Sequence, residues 1–243
     1  MSTRSISIMQ VVSRGWESLR KHPVESIVGY FIYGLLSIVM FIPILGMFVF
    51  LPLLGGLTIL SLRIVRDENP NISDLFAGFK DYWKWIALGW IYIAAMIAAA
   101  IPTVAAILVS VFLLEPTRHG IPSNNLVSSD SLTILMVVMI ALGVCATVLI
   151  AILLSIRWFF ITFVAADGGG IMESYRRSAE MAKGLYLPLF LIDILSFLAI
   201  MVASSITGGL GTYFIGTIAL LATAHIYMDI KALSTTAEPP TSN

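Results

Sequence analysis

The chain has 243 residues, of which 58% are hydrophobic and only 12% are charged. A soluble domain carries about 25% charged residues, so this composition predicts a polytopic membrane protein and excludes a water-soluble globular domain. The formal net charge is zero and there is a single cysteine, so neither a nucleic-acid-binding face nor an intrachain disulfide is expected.

Six apolar stretches are long enough to cross a bilayer, which takes about 20 residues. Their approximate bounds are 24–45, 47–65, 84–114, 131–165, 185–206 and 211–231. The third and fourth exceed what a ~30 Å core needs, so we expect them to tilt, to kink near Pro102 or to project beyond the bilayer. The predicted fold class is all-α, with 1–233 as a single integral membrane domain and 234–243 as a disordered tail.

The distribution of lysine and arginine predicts the orientation of these spans. If both termini lie in the cytoplasm, thirteen of the fourteen basic residues fall on or toward the inner side, and only Arg118 falls outside. Cytoplasmic loops carry such an excess of basic residues. We therefore predict a multi-pass protein with both termini in the cytoplasm.

A short amphipathic segment precedes each of three apolar hairpins. The three segments are SISIMQVVSRGWESLRKHP, NISDLFAGFKDYWKW and GIMESYRRSAEMAKG. Their apolar residues recur at spacings of three and four, which places one stripe on one helix face: Ile8, Val12, Trp16 and Leu19; Ile72, Leu75, Phe76, Phe79 and Trp83; Ile171, Tyr175, Ala179 and Ala182. Asn71 and Asp74 suit the start of a helix, because short polar side chains accept hydrogen bonds from free backbone N–H groups.

The layout predicts a parallel threefold repeat of helix plus hairpin. The units are approximately 7–66, 71–166 and 170–231. Any amphipathic helix shows such a stripe, so the repeated layout carries this prediction more than any one segment does. The three helices are expected in the cytoplasmic headgroup layer or docked under the bundle.

The same segments resemble a family. GWESLRKHP with its Pro/Gly-rich hairpin, NISDLFAGF and ESYRRSAEMAKG are similar to a broad group of uncharacterised bacterial six-span inner-membrane proteins and to the membrane region of some glycerophosphodiester phosphodiesterases. The resemblance implies a bacterial inner-membrane location. It also implies an architectural role for Arg157, Ser178 and the pair Lys183-Gly184, at positions that recur in the group. The chain ends soon after Lys231, so the catalytic phosphodiesterase domain is expected to be absent and no activity is inferred.

Two charges lie inside apolar spans and form the candidate intramembrane polar site. Arg157 lies ten residues before Asp167, and Asp193 lies ten residues after Lys183, so both are about 15 Å from a span end. An unpaired charge at that depth costs roughly 2.5–3.5 kcal/mol on insertion scales. We predict an Arg157–Asp193 ion pair or a shared polar cavity. Otherwise Arg157 reaches the headgroups and Asp193 bonds a hydroxyl.

His225 and Asp229 form a weaker candidate, one helical turn apart in the sixth span. They could relay a proton or an ion, but their nearness to the end of the span favours an interfacial cluster.

The sequence contains no HExxH, GxSxG or Walker motif and no metal-ligand spacing, so no enzyme activity, cofactor or metal is expected. We expect a non-enzymatic membrane protein that binds lipid or a protein partner at its cytoplasmic face. A second copy of the chain is an alternative partner. The alternative function is a small-solute or lipid transporter with a polar cavity around Arg157 and Asp193.

Overall fold

Helices make up most of the structure, a computed structural model that describes residues 8–38, 43–118 and 129–235. No strand occurs within these ranges. In chain order the helices are α1 (Ile8–Lys21), α2 (Pro23–Leu36), α3 (Pro43–Arg66), a 3-10 helix (Ile72–Phe79), α4 (Tyr82–Ala99), α5 (Ile101–Arg118), α6 (Ser129–Arg157), α7 (Ile161–Ala166), α8 (Ile171–Ala182), α9 (Tyr186–Thr207) and α10 (Leu210–Thr235).

Several of these helices are long and apolar enough to cross a membrane, as expected of a multi-pass membrane protein. Within the described residues there are five such stretches: Phe48–Arg66, Tyr82–Phe112, Thr133–Ala166, Tyr186–Thr207 and Leu210–Leu233. The first predicted span, 24–45, is not among them. Its helix α2 has 14 residues and ends at Leu36, and residues 39–42 lie outside the described part of the chain.

The two longest predicted spans are both interrupted. Near Pro102, where a kink was one of the expected alternatives, the helix is interrupted at Ala100 between α4 and α5. The break between α6 and α7, after Arg157, was not predicted. Residues 234–235 of the predicted disordered tail are helical, as the end of α10, and 236–243 lie outside the described residues.

The chain, predicted as one domain, forms two compact units. The first comprises Met1–Gly89 and Ile156–Asn243, and the second comprises Trp90–Ser155. Inside the second unit, Gly143 lies against Pro102 and the Thr103 hydroxyl is 2.8 Å from the Thr147 hydroxyl. Most large apolar side chains of the second unit are exposed, and exposed apolar side chains in such number are more stable in lipid than in water.

Three helices of the first unit share one packing arrangement, and we call α1, the 3-10 helix and α8 the docking helices. The 3-10 helix packs on α3, and α8 packs on α7. The first docking helix, α1, packs on α10. The 3-10 helix and α8 thus each contact the helix that directly precedes them in the chain. The remaining docking helix, α1, instead contacts α10, the helix that ends the last predicted hairpin.

Glycines allow two of these contacts to be very close. A Cβ atom added at Gly56 of α3 would lie 1.7 Å from the Leu75 carbonyl oxygen, and one at Gly78 would lie 2.0 Å from the Pro52 oxygen. On α1, a Cβ at Gly15 would lie 2.9 Å from the Ile218 oxygen of α10. Backbone meets backbone at all three positions, so a larger residue has no room without separating the helices.

The start of the 3-10 helix confirms the predicted capping residues. The Ser73 N–H donates to Asn71 Oδ1 at 2.9 Å, and the Asn71 N–H donates to Asp74 Oδ2 at 3.0 Å. This reciprocal pair satisfies backbone donors that a helix start leaves free. The other oxygen of Asp74 accepts from Arg63 at 2.7 Å, which ties the 3-10 helix to α3.

The buried face of each amphipathic segment coincides only in part with its predicted apolar stripe. On α8 the stripe is buried as predicted at Tyr175, Ala179 and Ala182. On α1 the buried residues besides Leu19 are Val11, Gly15 and Ser18, whereas Val12 is 45% and Trp16 is 43% exposed. On the second segment Phe76 is 49% and Trp83 is 74% exposed. The packed face follows the small residues, because they allow the close approach described above.

Candidate functional site

The ends of three helices meet at one carboxylate, Asp167, which follows α7. Arg66 at the end of α3 donates to Asp167 Oδ1 at 2.5 Å, and Tyr227 of α10 donates to Asp167 Oδ2 at 2.8 Å. Lys231 of α10 also donates to Oδ2. We call these four residues the Asp167 junction. It joins the last residues of the first and third predicted repeat units, Arg66 and Lys231, to Asp167, which directly follows the second unit.

The negative charge of Asp167 is compensated by Arg66 and Lys231, although the carboxylate is partly buried. Burial disfavours the ionised form of Asp167, whose side chain is only 12% exposed. The hydrogen bonds from Lys231, Arg66 and Tyr227 outweigh that effect and hold the pKa of Asp167 below its usual value. Asp167 is therefore a carboxylate that two cations and a phenol hold in its ionised form.

A shallow depression of about 600 Å³ lies over the junction. Its lining residues are Arg66, Glu68, Asp167, Met228, Lys231 and Ala232. The charges of Asp167, Arg66 and Lys231 are already used to bind one another, so this arrangement favours a structural role over ligand binding.

Arg157 marks the unpredicted break between α6 and α7. The buried Ser178 of α8 lies across this break, where its hydroxyl accepts from the Phe160 N–H at 3.1 Å and donates to the Arg157 oxygen at 3.3 Å. The hydroxyl thus replaces part of the lost helical hydrogen bonding, which buried backbone at membrane depth requires. The Arg157 side chain itself is exposed. The positions that the family resemblance singled out, Arg157 and Ser178, are therefore both parts of one helix break.

Asp193 lies elsewhere in the same compact unit, on the wall of a cavity of about 380 Å³. The cavity is lined by Tyr30, Tyr33, Leu54, Leu57, Phe159, Ile192, Asp193, Ser196, Phe197, Ile200, Gly216, Ala219, Leu220 and Thr223. Asp193 is the one charged residue among them. No hydrogen bond or ion pair joins its carboxylate to any residue that the structure describes.

The structure does not bring Arg157 and Asp193 together. No ion pair among the described residues joins them, and Arg157 does not line the Asp193 cavity. The exposed Arg157 agrees instead with the other arrangement open from the sequence, in which its side chain reaches out of the bundle.

This separation predicts additive effects of mutation. Arg157→Ala and Asp193→Ala should change the free energy of unfolding independently, and the double variant should equal the sum within about 0.5 kcal/mol, as for residues without shared partners. The measurement is a double-mutant cycle by SDS titration in mixed micelles. A double variant milder than the sum by more than about 1 kcal/mol would restore the predicted ion pair.

His225 and Asp229 both hold α1 on α10. His225 Nε2 is 2.8 Å from the Ser18 hydroxyl, and Asp229 pairs with Arg14 at 2.8 Å. Each side chain thus bonds a different residue of α1, an arrangement that favours the interfacial cluster over a relay.

Sequence reasoning missed several residues of both sites. Asp167 appeared only as the end marker of a span, although the predicted repeat would place Arg66 and Lys231 at similar ends. The cavity residues Tyr30 and Tyr33 carry no separate sequence signal, since tyrosines in spans commonly act as interface anchors. Within the described ranges, no group of three or more His, Cys, Asp or Glu side chains is placed to hold a metal ion. No protein-family model, curated protein or solved structure matches the chain.

Proposed function

We propose that this chain is a six-span membrane protein built from three parallel units. The order of helix packing supports the repeat, because the 3-10 helix and α8 each contact the hairpin before their own and α1 contacts the last one. The close contacts support it further. Gly56, Arg157 and Ala222 each meet a docking helix about ten residues, or ~15 Å, before Arg66, Asp167 and Lys231, respectively.

In this proposal α2 belongs to the first of the six spans. It is short, but it packs on both α3 and α10, which are long enough to cross a bilayer. The Asp167 junction marks the cytoplasmic end of the bundle, since basic residues concentrate there and at the docking helices. Both termini then lie in the cytoplasm of a bacterial cell, and the protein lies in its inner membrane.

We also propose that the chain shares its architecture with the bacterial inner-membrane group named above and with the membrane region of glycerophosphodiester phosphodiesterases. What supports this likeness is the role of Ser178 and Arg157 at the helix break and the left-handed backbone of Gly184, at φ +79°. The likeness concerns the membrane scaffold and carries no catalytic activity.

The function that the geometry supports best is non-enzymatic binding of anionic lipid at the cytoplasmic rim. The carrying observation is the exposed surface of the docking helices and of the residues directly after them, which carries both apolar side chains and basic ones outside the described ion pairs. The exposed apolar residues are Met9, Val12, Trp16, Phe76, Trp83 and Met172. The exposed basic residues outside the described ion pairs are Arg20, Lys21, Lys80, Arg176 and Lys183. Apolar insertion combined with basic residues is how interfacial helices recognise anionic headgroups.

Removing three of these charges should remove the preference for anionic lipid. Arg20→Gln/Lys21→Gln/Lys183→Gln leaves every described ion pair intact, so the fold should persist. Each basic residue near an anionic surface contributes about 1 kcal/mol, so phosphatidylglycerol enrichment should fall at least about tenfold. The measurement is native mass spectrometry of protein released from lipid discs of mixed phosphatidylglycerol and phosphatidylcholine.

The matched control removes acids from the same surface: Glu17→Gln/Asp81→Asn/Glu180→Gln. It should keep or raise the enrichment. Unchanged enrichment in the basic triple variant would contradict lipid recognition. A stoichiometric protein co-isolated from native membranes, and lost in that variant, would assign the rim to a protein partner instead.

A further inference from the structure

The Asp193 cavity is an open pocket with aromatic and apolar walls, and the Asp193 side chain on it is exposed. Asp193 is the eighth residue of α9, about 11 Å along that helix. Tyr30 and Tyr33 of α2 line the same cavity, with ring centroids 6.0 Å apart. Its volume of about 380 Å³ falls in the range of small-molecule sites.

A carboxylate at this depth needs a positive partner. Intramembrane acids usually pair with a cation or line a ligand path. The described part of the chain provides no such partner for Asp193, whereas it provides one for Asp167, Asp74 and Asp229. Asp193 is therefore unpaired among the described residues, and its exposed carboxylate is accessible to a cation that enters the cavity from outside.

The walls of the cavity favour an organic cation over a metal ion. A divalent metal needs several oxygen ligands, and the described residues hold no group of acidic, histidine or cysteine side chains that could provide them. Tyrosine faces attract weakly hydrated cations, and Leu54, Leu57 and Phe197 can cover apolar substituents. We propose that this cavity binds a monovalent organic cation with Asp193 as its counter-ion.

The proposal is independent of lipid binding at the cytoplasmic rim and is tested with a pair of probes of one shape and opposite charge. Full-length protein in phosphatidylcholine discs is equilibrated with radiolabelled tetraphenylphosphonium or tetraphenylborate, and binding to empty discs is subtracted. The phosphonium should bind saturably and the borate should not. In Asp193→Asn, phosphonium affinity should fall at least about tenfold, because the charge pair is lost while the shape is kept.

Two further variants separate this effect from misfolding. Asp81→Asn removes an exposed carboxylate outside the cavity and should bind the phosphonium like the unmodified protein. Ala219→Leu fills the cavity while keeping Asp193, and it should also lose phosphonium binding. Equal phosphonium affinity in the unmodified protein and Asp193→Asn, or borate binding as tight as phosphonium binding, would overturn the proposal.

Discussion

Asp167→Ala is expected to destabilise the protein by about 2–4 kcal/mol. The substitution removes the common acceptor of three side chains and takes the Asp167 carboxylate away from Arg66 and Lys231. Breaking a buried ion pair in this way costs about 3–5 kcal/mol, and the partial exposure of Lys231 reduces that figure through solvent screening. The measurement is the free energy of unfolding by SDS titration in mixed micelles.

Two controls separate the charge from the hydrogen bonds. Tyr227→Phe removes one neutral donor and should cost only about 1 kcal/mol. Asp167→Asn keeps an oxygen acceptor and should fall between the two. A loss below about 0.5 kcal/mol for Asp167→Ala would show that the three helix ends are held together by other contacts.

Acid should remove the same stabilisation. The pKa of Asp167 is lowered by its partners, so the junction contributes fully above the unfolded-state pKa of about 3.9. That contribution is lost as the pH falls through the lower folded-state pKa. The stability difference between the unmodified protein and Asp167→Ala should therefore be constant above about pH 5 and shrink below about pH 4.

Gly56→Ala is expected to destabilise the protein by more than about 3 kcal/mol, or to prevent its accumulation. The new Cβ would lie 1.7 Å from the Leu75 oxygen, which belongs to backbone and cannot rotate away. Alanine favours a helix over glycine by about 1 kcal/mol, but that gain is smaller than the cost of separating α3 from the 3-10 helix. Folded yield in detergent and unfolding by SDS titration measure the effect.

Gly170→Ala is the matched control for this substitution. Gly170 precedes α8 at φ −67°, and an added Cβ would come no closer than 3.8 Å to Glu173. Gly170 is the N-cap of α8, where glycine is preferred over alanine, so the stability of this variant should fall by no more than about 1 kcal/mol. Comparable stability of both glycine variants would mean that the close contact at Gly56 can relax.

The sequence predicted where most helices lie because long apolar runs, prolines and glycines leave local signals. The break after Arg157 left none, since residues 157–160 contain neither proline nor glycine. It is stabilised by the hydroxyl of Ser178, about twenty residues further along the chain. A tertiary contact of this kind cannot be derived from the periodicity of one segment.

The candidate site was predictable only in part, because it too depends on tertiary contacts. Distance along the helices placed Arg157 and Asp193 at a similar depth, but depth does not specify the helix face from which a side chain projects. The Asp167 junction was within reach of sequence reasoning. Arg66 and Lys231 end the first and third predicted units and Asp167 directly follows the second, and opposite charges at such similar positions indicate a contact between them.

The contact between α1 and α10 constrains how the protein is made. The ribosome delivers α1 first, but Gly15, Ser18 and Arg14 pack on or bond residues of α10, roughly two hundred residues later. Until α10 has been synthesised, α1 has only its contacts with α2 and α3, and its polar side chains lack their partners on α10. The packing of α1 is therefore completed only after the synthesis of α10.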